Sequence, residues 1–347
     1  EWTYMAFLVH HATVEKPSFG IDLWKDLVSR GSVNNAEDTR NLRRVSLFEA
    51  VIDGWIKAEL DESLSTEVIK YLSSCLSNPR WLDRIGYFLL SQIKRRNESD
   101  ETESVMELRK LAMSLLCAHG ESYSDSGEVD SPLFSHKPRL KPWPEVVTQY
   151  WVEEIARRRS NCDFDCCGFT DEERNALATL LAAPRPLLNV VQPALARSLC
   201  FLHSVESEFV REHIFSIFKE NESFKYAWNG YLHYSIFNDQ MLDDGFFDLV
   251  VEQWSKLEEL ELDLRERFYQ LVTIILSFAR LPEWKLEKLA NQSVVTGGGR
   301  HAAEFAREAA LILGTPKIKG AEVWNRWLGK HFARRLEGLP RTPSPEE

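Results

Sequence analysis

The sequence predicts an all-α protein made of stacked helix pairs, an α-solenoid-like array of the HEAT or TPR kind. Apolar residues recur at helical spacing along the chain, and no stretch shows clean period-two alternation bounded by hairpin turns. In addition, six of the eleven tryptophans recur at intervals of 26 to 31 residues, which is about one helix–turn–helix unit. These six are Trp24, Trp55 and Trp81 in the first half and Trp228, Trp254 and Trp284 in the second.

Composition places the chain among globular proteins. Of its 347 residues, 44% are hydrophobic and 27% are charged, and no apolar run approaches the ~18 residues that cross a bilayer. The net charge of −11 disfavours wholesale binding to nucleic acid or to an anionic membrane, although it leaves room for a local basic site. Six cysteines do not make a dense disulfide framework, so we expect a cytoplasmic protein. Because Glu1 is no initiator methionine and no signal peptide follows it, we also expect a fragment of a longer protein.

Residues 1–120 are predicted to form an N-terminal helical array, because apolar stripes at helical spacing follow one another between polar breaks. The predicted helices run over 46–57, from 63–67 to Asn78, over 80–95, and from a polar break at 97–103 to about 120. Residues 121–144 are rich in Ser, Asp and Gly and then in proline, which removes a backbone donor and disfavours helix before it. We therefore expect a linker or surface loop that divides the chain into two halves.

Residues 145–343 are predicted to form a C-terminal helical domain. The predicted helices run over 145–159, 170–183, 193–203, 206–219, 222–236, 245–259, 263–280, 282–292, 300–313 and 319–337. We expect five tryptophans to act as packing anchors here, since each indole can bury about 150–250 Å². They are Trp228, Trp254, Trp284, Trp324 and Trp327. The last two are three residues apart and share one helical face, which Leu328 and Phe332 continue.

Two short clusters are candidate ligand sites. Cys162, Cys166 and Cys167 form the most metal-like group, but a zinc site usually needs two close ligand pairs, so we favour a loop with ordinary thiols and expect no metal or cofactor. Gly297–Gly299 opens a helix and could offer backbone donors to an anion. It lacks the strand and the Lys-Ser/Thr of a P-loop, so a flexible turn is favoured, with Arg300 and His301 as candidate anion contacts.

No catalytic constellation is recognisable, and no catalytic residue is predicted. The sequence contains neither a Gly-x-Ser-x-Gly elbow nor a His-Glu-x-x-His helix. The carboxylate pairs Glu153-Glu154 and Asp243-Asp244 are interpreted as solvated surface charge, because adjacent side chains point to different sides of a helix. We therefore expect that this chain is not an enzyme.

Charge is uneven in the second half. Ten acidic residues lie between Asp239 and Glu266, whereas seven basic residues lie between Thr315 and Pro343. The basic ones are Lys317, Lys319, Arg326, Lys330, Arg334, Arg335 and Arg341. Of these, Arg326, Lys330, Arg334 and Arg335 are candidate partner contacts. The basic end could bind phosphate groups, or the two patches could pair between neighbouring molecules.

The segment from Glu322 to Pro340 contains a Trp-x-x-Trp-Leu helix, a basic stretch and a Gly-x-Pro exit. It resembles the closing segment of the helical domain found C-terminal to sirtuin-like domains in bacterial antiphage defence proteins. The stretch Ala227-Trp-Asn-Gly-Tyr-Leu232 is similar to that domain as well, and the likeness covers roughly residues 190–343. It implies a multidomain cytoplasmic protein whose NAD-consuming domain lies outside this chain, which has no Gly-Ala-Gly-Ile-Ser-like nucleotide loop.

The sequence and this resemblance together predict a non-catalytic helical scaffold or sensor region of a bacterial defence protein. We expect it to act through contact with a protein partner or through self-association, and not at a membrane, and to regulate an effector domain elsewhere. The alternative is nucleic-acid sensing through the basic C-terminal end.

Overall fold

The computed structural model describes residues 2–29, 39–96, 101–121, 123, 141–160, 168–219, 224–296, 298–315 and 318–340. All regular structure in these residues is helical, and none of them lies in a strand, which confirms the all-α class. The α-helices are α1 (Trp2–Glu15), α2 (Pro17–Ser29), α3 (Thr39–Lys57), α4 (Glu62–Ser74), α5 (Leu82–Arg95), α6 (Glu103–His119), α7 (Trp143–Ser160), α8 (Asp171–Leu181), α9 (Arg185–Arg197), α10 (Leu199–Val205), α11 (Ser207–Phe209), α12 (Phe224–Leu232), α13 (Asp239–Met241), α14 (Phe247–Gln253), α15 (Leu262–Phe278), α16 (Glu283–Val295), α17 (Gly298–Leu313), α18 (Gly320–Val323) and α19 (Gly329–Leu336).

Several helices are interrupted or extended by tighter or wider turns. Short 3-10 segments span Pro79–Trp81, Phe215–Phe218 and Trp254–Glu259. π-Helical turns span Val210–Ile214, Leu242–Phe246 and Trp324–Leu328. A π-turn adds one residue to a helical turn and therefore rotates the side chains on either side of it relative to each other.

The chain divides into two compact units, Glu1–Ala194 and Leu195–Glu347. This division differs from the predicted one, which placed the break within 121–144. The physical reason is that α7 packs along α5 and so belongs to the first unit. Asp83 of α5 accepts a hydrogen bond from the Trp143 backbone N–H at 2.7 Å, which fixes the start of α7. Most of the predicted linker, residues 124–140, lies outside the described residues.

In the first unit α1 to α8 pack in two rows, in which each helix contacts the next but one. Contacts join α1 to α3, α3 to α5 and α5 to α7, and a second row runs from α2 through α4 and α6 to α8. This is the packing pattern of stacked helix pairs. Trp24 contacts Trp55 with ring centroids 5.3 Å apart and Phe48 at 4.5 Å, and Phe48 reaches Trp81. The three regularly spaced tryptophans of this unit thus meet in one buried cluster.

Glu154 is a buried charge in the first unit, which corrects its interpretation as solvated. Its side chain is fully buried and accepts hydrogen bonds from Arg109 at 2.9 Å and from Arg157 at 3.0 Å. Burial alone raises a carboxyl pKa, but the hydrogen bonds from Arg157 and the charge of Arg109 hold the pKa of Glu154 below its ordinary value. The carboxylate therefore ties α6 to α7.

In the second unit an aromatic column runs from α12 to the C-terminal helical segment. It passes from ring to ring at centroid distances between 5.3 and 6.4 Å. Its members are Trp228, Phe268, Trp254, Phe305 and Trp327, and all five are buried. Trp284 is not part of the column, since its side chain is 60% exposed. The prediction that it is a packing anchor is wrong for the described structure, because Leu286, Leu289 and Ala290 form the buried face of α16.

The column gives a direct test of which tryptophans stabilise the second unit. We expect Trp254→Ala to lower the free energy of unfolding by about 3–5 kcal/mol, because it leaves a cavity beside Phe268 and Phe305. Trp284→Ala is the matched control and should change stability by about 0.5 kcal/mol or less. Urea unfolding followed by circular dichroism measures both. Equal losses for the two variants would contradict this assignment.

Candidate functional site

The predicted anion contacts at the start of α17 are engaged within the protein. Arg300 pairs with Glu304 one turn later, with Nε and Oε1 3.0 Å apart. His301 is buried, lies 2.5 Å from the Tyr269 hydroxyl through Nδ1, and lies 2.9 Å from a Glu258 oxygen through Nε2. His301 is thus a packing residue between α15 and α17. Gly297 lies outside the described residues.

Four candidate contacts fall on the C-terminal helix, the continuous helical segment formed by α18, the π-turn Trp324–Leu328 and α19. Arg326 donates from Nε to the Leu276 carbonyl at 2.8 Å and from Nη2 to the Ala279 carbonyl. These carbonyls belong to the end of α15, where intrahelical donors run out. Arg326 therefore caps α15.

The next basic residues of the C-terminal helix pair with α16. Lys330 lies 2.5 Å from Glu283, and Arg334 contacts Glu287. The two ion pairs lie one helical turn apart, because Glu283 and Glu287 are four residues apart on α16 and Lys330 and Arg334 are four residues apart on the C-terminal helix. Arg335 is partly exposed, and its Nη1 donates to the Leu339 carbonyl at 3.4 Å. Lys317 and Arg341 lie outside the described residues.

The acidic stretch also pairs with α16, on a different face. Asp243 lies 2.8 Å from Lys285, and Asp248 lies 3.4 Å from Lys288. Asp244 accepts from the buried His203 at 3.0 Å instead. The sequence left open that the acidic and basic stretches pair between molecules. In the structure both stretches are partly neutralised inside the second unit, and both form ion pairs with α16.

A cleft of about 310 Å³ lies between α16 and the C-terminal helix. Leu286, Ala290, Trp327 and Ala333 supply its apolar lining. The polar lining comprises Glu283, Glu287, Asn291, Arg326, Lys330, His331 and Arg334. Three of the described predicted contacts therefore meet here, together with three residues that were not predicted: His331, Glu283 and Glu287. The matching four-residue spacing of Glu283/Glu287 and Lys330/Arg334 is the sequence signal that could have paired them.

Three buried polar atoms of the cleft residues have no hydrogen-bond partner. They are Nε1 of Trp327, Nδ1 of His331 and Nε of Arg334. Burial, together with the positive charges of Arg335 and Arg334, lowers the pKa of His331 to about 4. His331 is therefore neutral at pH 7, and the permanent charges of the cleft are those of its arginines, Lys330 and the two glutamates.

On its outer side the C-terminal helix presents apolar side chains to solvent. Trp324 is 51% exposed and stacks on Phe332, with centroids 6.0 Å apart and planes 20° apart. Leu336 continues this side and is 90% exposed. We call Trp324, Phe332 and Leu336 the C-terminal ridge. A Cβ on Gly329 would lie 2.8 Å from Trp324 Nε1, so the bare glycine lets the indole lie against the helix.

The ridge corrects the predicted packing stripe. Trp327 is buried as a packing anchor must be, with 4% exposure, but Trp324 and Phe332 are not buried with it. The sequence prediction assumed regular α-helical spacing. Both tryptophans lie within the π-turn Trp324–Leu328, and the wider turn increases the angle between residues three apart, which separates their faces.

In the described part of the chain, no group of three or more His, Cys, Asp or Glu side chains is placed to hold a metal ion. No described helix is both long enough and apolar enough to cross a bilayer. The predicted cysteine cluster, Cys162, Cys166 and Cys167, lies outside the described residues.

Because the pKa of His331 is lowered, we expect the stability of the protein to depend on pH. In the unfolded chain a histidine has a pKa of about 6.5, so between pH 6.5 and 4 the unfolded chain binds a proton that the folded chain does not. The free energy of unfolding should therefore fall as the pH drops through this window. At pH 5 we expect wild type to lose roughly 1–2 kcal/mol more than His331→Gln does, relative to pH 7.5.

Urea unfolding of both proteins across this pH range tests the expectation, and an NMR titration of the imidazole gives the pKa directly. Parallel pH profiles, or a measured pKa near 6.5, would contradict it.

No family model matches the chain, and no curated protein and no solved structure matches it either. The resemblance over residues 190–343 therefore rests on the aromatic and basic residues quoted for it, of which Trp327 packs in the core and Trp324 lies on the surface.

Proposed function

We propose that the chain is a non-catalytic helical scaffold region whose direct activity is to bind a protein partner through the C-terminal ridge. The observation that carries this proposal is the stacked, exposed pair Trp324–Phe332, continued by Leu336. Large exposed apolar groups that lie together mark interaction sites, whereas single ones are ordinary on protein surfaces.

The ridge has the properties of a binding anchor. Trp324 is held over Gly329 and against Phe332, so little side-chain freedom remains to be lost when a partner covers it. Tryptophan is enriched among the residues that dominate binding energy. A rigid aromatic pair on one helix favours a partner that is itself a helix with an apolar face.

The charge of the C-terminal helix decides which partner we propose. Between Trp324 and Leu336 the sequence has four basic residues and no acidic one. If two ridges met across a two-fold axis, Arg335, which is next to Leu336 in the sequence, would approach Arg335 of the other copy, and like charges repel. The proposed occupant is therefore an amphipathic helix of another protein, with acidic residues beside its apolar face.

The alternative, nucleic-acid sensing by the basic end, has less support. Arg326 is bound to backbone carbonyls, and Lys330 and Arg334 are paired with carboxylates. Phosphate binding would have to displace these partners. Neutralising phosphates with free surface cations has no such cost.

The kind of protein to which this region belongs is proposed from the resemblance alone. It suggests a bacterial antiphage protein in the cytoplasm, in which this region senses infection or holds the assembly and regulates an NAD-consuming domain outside this chain. The ridge would then be the surface that receives the trigger or the neighbouring component.

The proposal can be tested with a displayed library of helical peptides of about 20 residues, selected against the whole chain. We expect the selection to enrich peptides with an apolar face flanked by acidic residues. Their affinity should fall at least about 30-fold for Phe332→Asp/Leu336→Asp, since losing contacts of a binding anchor typically costs 2 kcal/mol or more. Leu311→Asp is the matched control, because Leu311 is 63% exposed on α17 and lies outside the ridge.

Three outcomes would overturn the proposal. The first is a failure to enrich any peptide that distinguishes wild type from the ridge variant. The second is self-association of the wild type that the ridge variant loses, measured by sedimentation velocity, which would make a second copy the occupant. The third is a salt-dependent shift of DNA or RNA that charge reversal at Arg334 and Arg335 abolishes, which would favour the alternative.

A further inference from the structure

The first helix of the first unit exposes an apolar surface. Tyr4, Met5, Phe7 and Leu8 on α1 are all between 43% and 65% exposed. Residues four apart lie on one face of a helix, so Tyr4 adjoins Leu8 and Phe7 adjoins His11. The Phe7 and His11 rings meet edge to face, with their centroids 4.5 Å apart. We call these five residues the N-terminal face.

The composition of α1 is that of a helix covered on both sides. Between Trp2 and Val14 the sequence contains no Asp, Glu, Lys or Arg, and a helix that is apolar all round is normally buried. Val9 and Thr13, on the side opposite Tyr4 and Leu8, are buried. In the described part of the chain α1 packs mainly on α3 and α2. The N-terminal face is therefore an apolar side that one copy of these helices leaves open.

The neighbouring helix α2 shows what the end of such an array normally presents to solvent. It begins the second row of the first unit, and its exposed side includes the charged Asp22 and Lys25. The terminal helices of stacked arrays need a polar outer side of this kind. Because α1 begins the other row without one, its outer side has the composition of an internal contact.

The lack of charge on α1 decides which occupant we choose. A partner that placed Asp, Glu, Lys or Arg on this face would bury those charges with no opposite charge to pair with, which is costly. Helices that lie on membranes usually carry Lys and Arg beside their apolar side, and α1 has neither. The same face of a second copy is uncharged too, so a two-fold contact brings no like charges together.

The exposed area sets the strength of this contact. The four large apolar side chains of the face leave about 400 Å² open in each copy, taking about 200 Å² for each whole side chain. Two copies would thus bury about 800 Å² from these side chains, and interfaces below about 1,200 Å² are weak and transient. The area fits a reversible dimer.

We propose that the N-terminal face binds the same face of a second copy of this chain and forms a weak two-fold dimer through α1. Leu8 lies near the middle of the face, so in an antiparallel pair of helices it approaches Leu8 of the other copy. This surface belongs to the first unit, whereas the C-terminal ridge belongs to the second. The dimer is therefore independent of partner binding at the ridge.

Sedimentation velocity of the whole chain, at concentrations from about 1 to 300 μM, measures the association. We expect the sedimentation coefficient to rise toward that of a dimer, with a dissociation constant on the order of 100 μM. Leu8→Glu puts like charges at the centre of the contact and should weaken the dimer at least about tenfold. Val28→Glu is the matched control, because Val28 is 50% exposed on α2 and lies outside the face, and it should dimerise like wild type.

A charge swap shows whether position 8 of one copy meets position 8 of the other. Leu8→Lys should be as weakly associated as Leu8→Glu when each is measured alone. An equal mixture of the two should recover dimer formation at least as strong as that of wild type, because opposite charges then meet. Recovery also shows that both variants are folded, so a loss of association through misfolding is recognised.

Several results would overturn the dimer. They are a wild type that stays monomeric up to the highest concentration, a dimer that survives Leu8→Glu, and a mixture that does not recover. Binding of a monomeric wild type to phosphatidylcholine vesicles, lost in Leu8→Glu, would make a lipid surface the occupant instead.

The ridge variant Phe332→Asp/Leu336→Asp separates this proposal from the proposed function. It should dimerise like wild type, so failure of the dimer leaves partner binding at the ridge standing. A dimer that is lost in the ridge variant would overturn both proposals, because the ridge would then hold the second copy.

Discussion

The charge pairing on α16 is the constraint on which the C-terminal part of the second unit depends. Lys285 and Lys288 pair with the acidic stretch on one side, and Glu283 and Glu287 pair with the C-terminal helix on the other. Most of these side chains are well exposed, and exposed pairs contribute only about 0–1 kcal/mol each. They favour one register of the C-terminal helix against α16, because the two pairs match residues four apart on each helix. Trp327 is buried in the aromatic column, and the π-turn Trp324–Leu328 leaves Trp324 and Phe332 on the exposed side.

Stability comes from a different source, the aromatic column. Trp228, Trp254 and Trp327 are linked ring to ring through Phe268 and Phe305. Burying such side chains contributes several times more than a surface ion pair does. The described basic residues Arg326, Lys330 and Arg334 are therefore engaged within the protein, although they do not form the core. They align a helix that Trp327 has already anchored.

The sequence predicts the fold class well and the site only in part, for physical reasons. Helical periodicity is a local property, so the all-α class could be predicted from apolar spacing alone. Burial is not local: Trp254 and Trp284 have similar spacing to their neighbours, yet only Trp254 faces the column. Likewise, the π-turn that separates Trp324 from Trp327 leaves no mark in the apolar pattern. The numbers of acidic and basic residues in the two stretches can be read from the sequence. Their ion-pair partners cannot, because they depend on where α16 packs. His331 gave no signal, since its properties arise from burial beside two arginines.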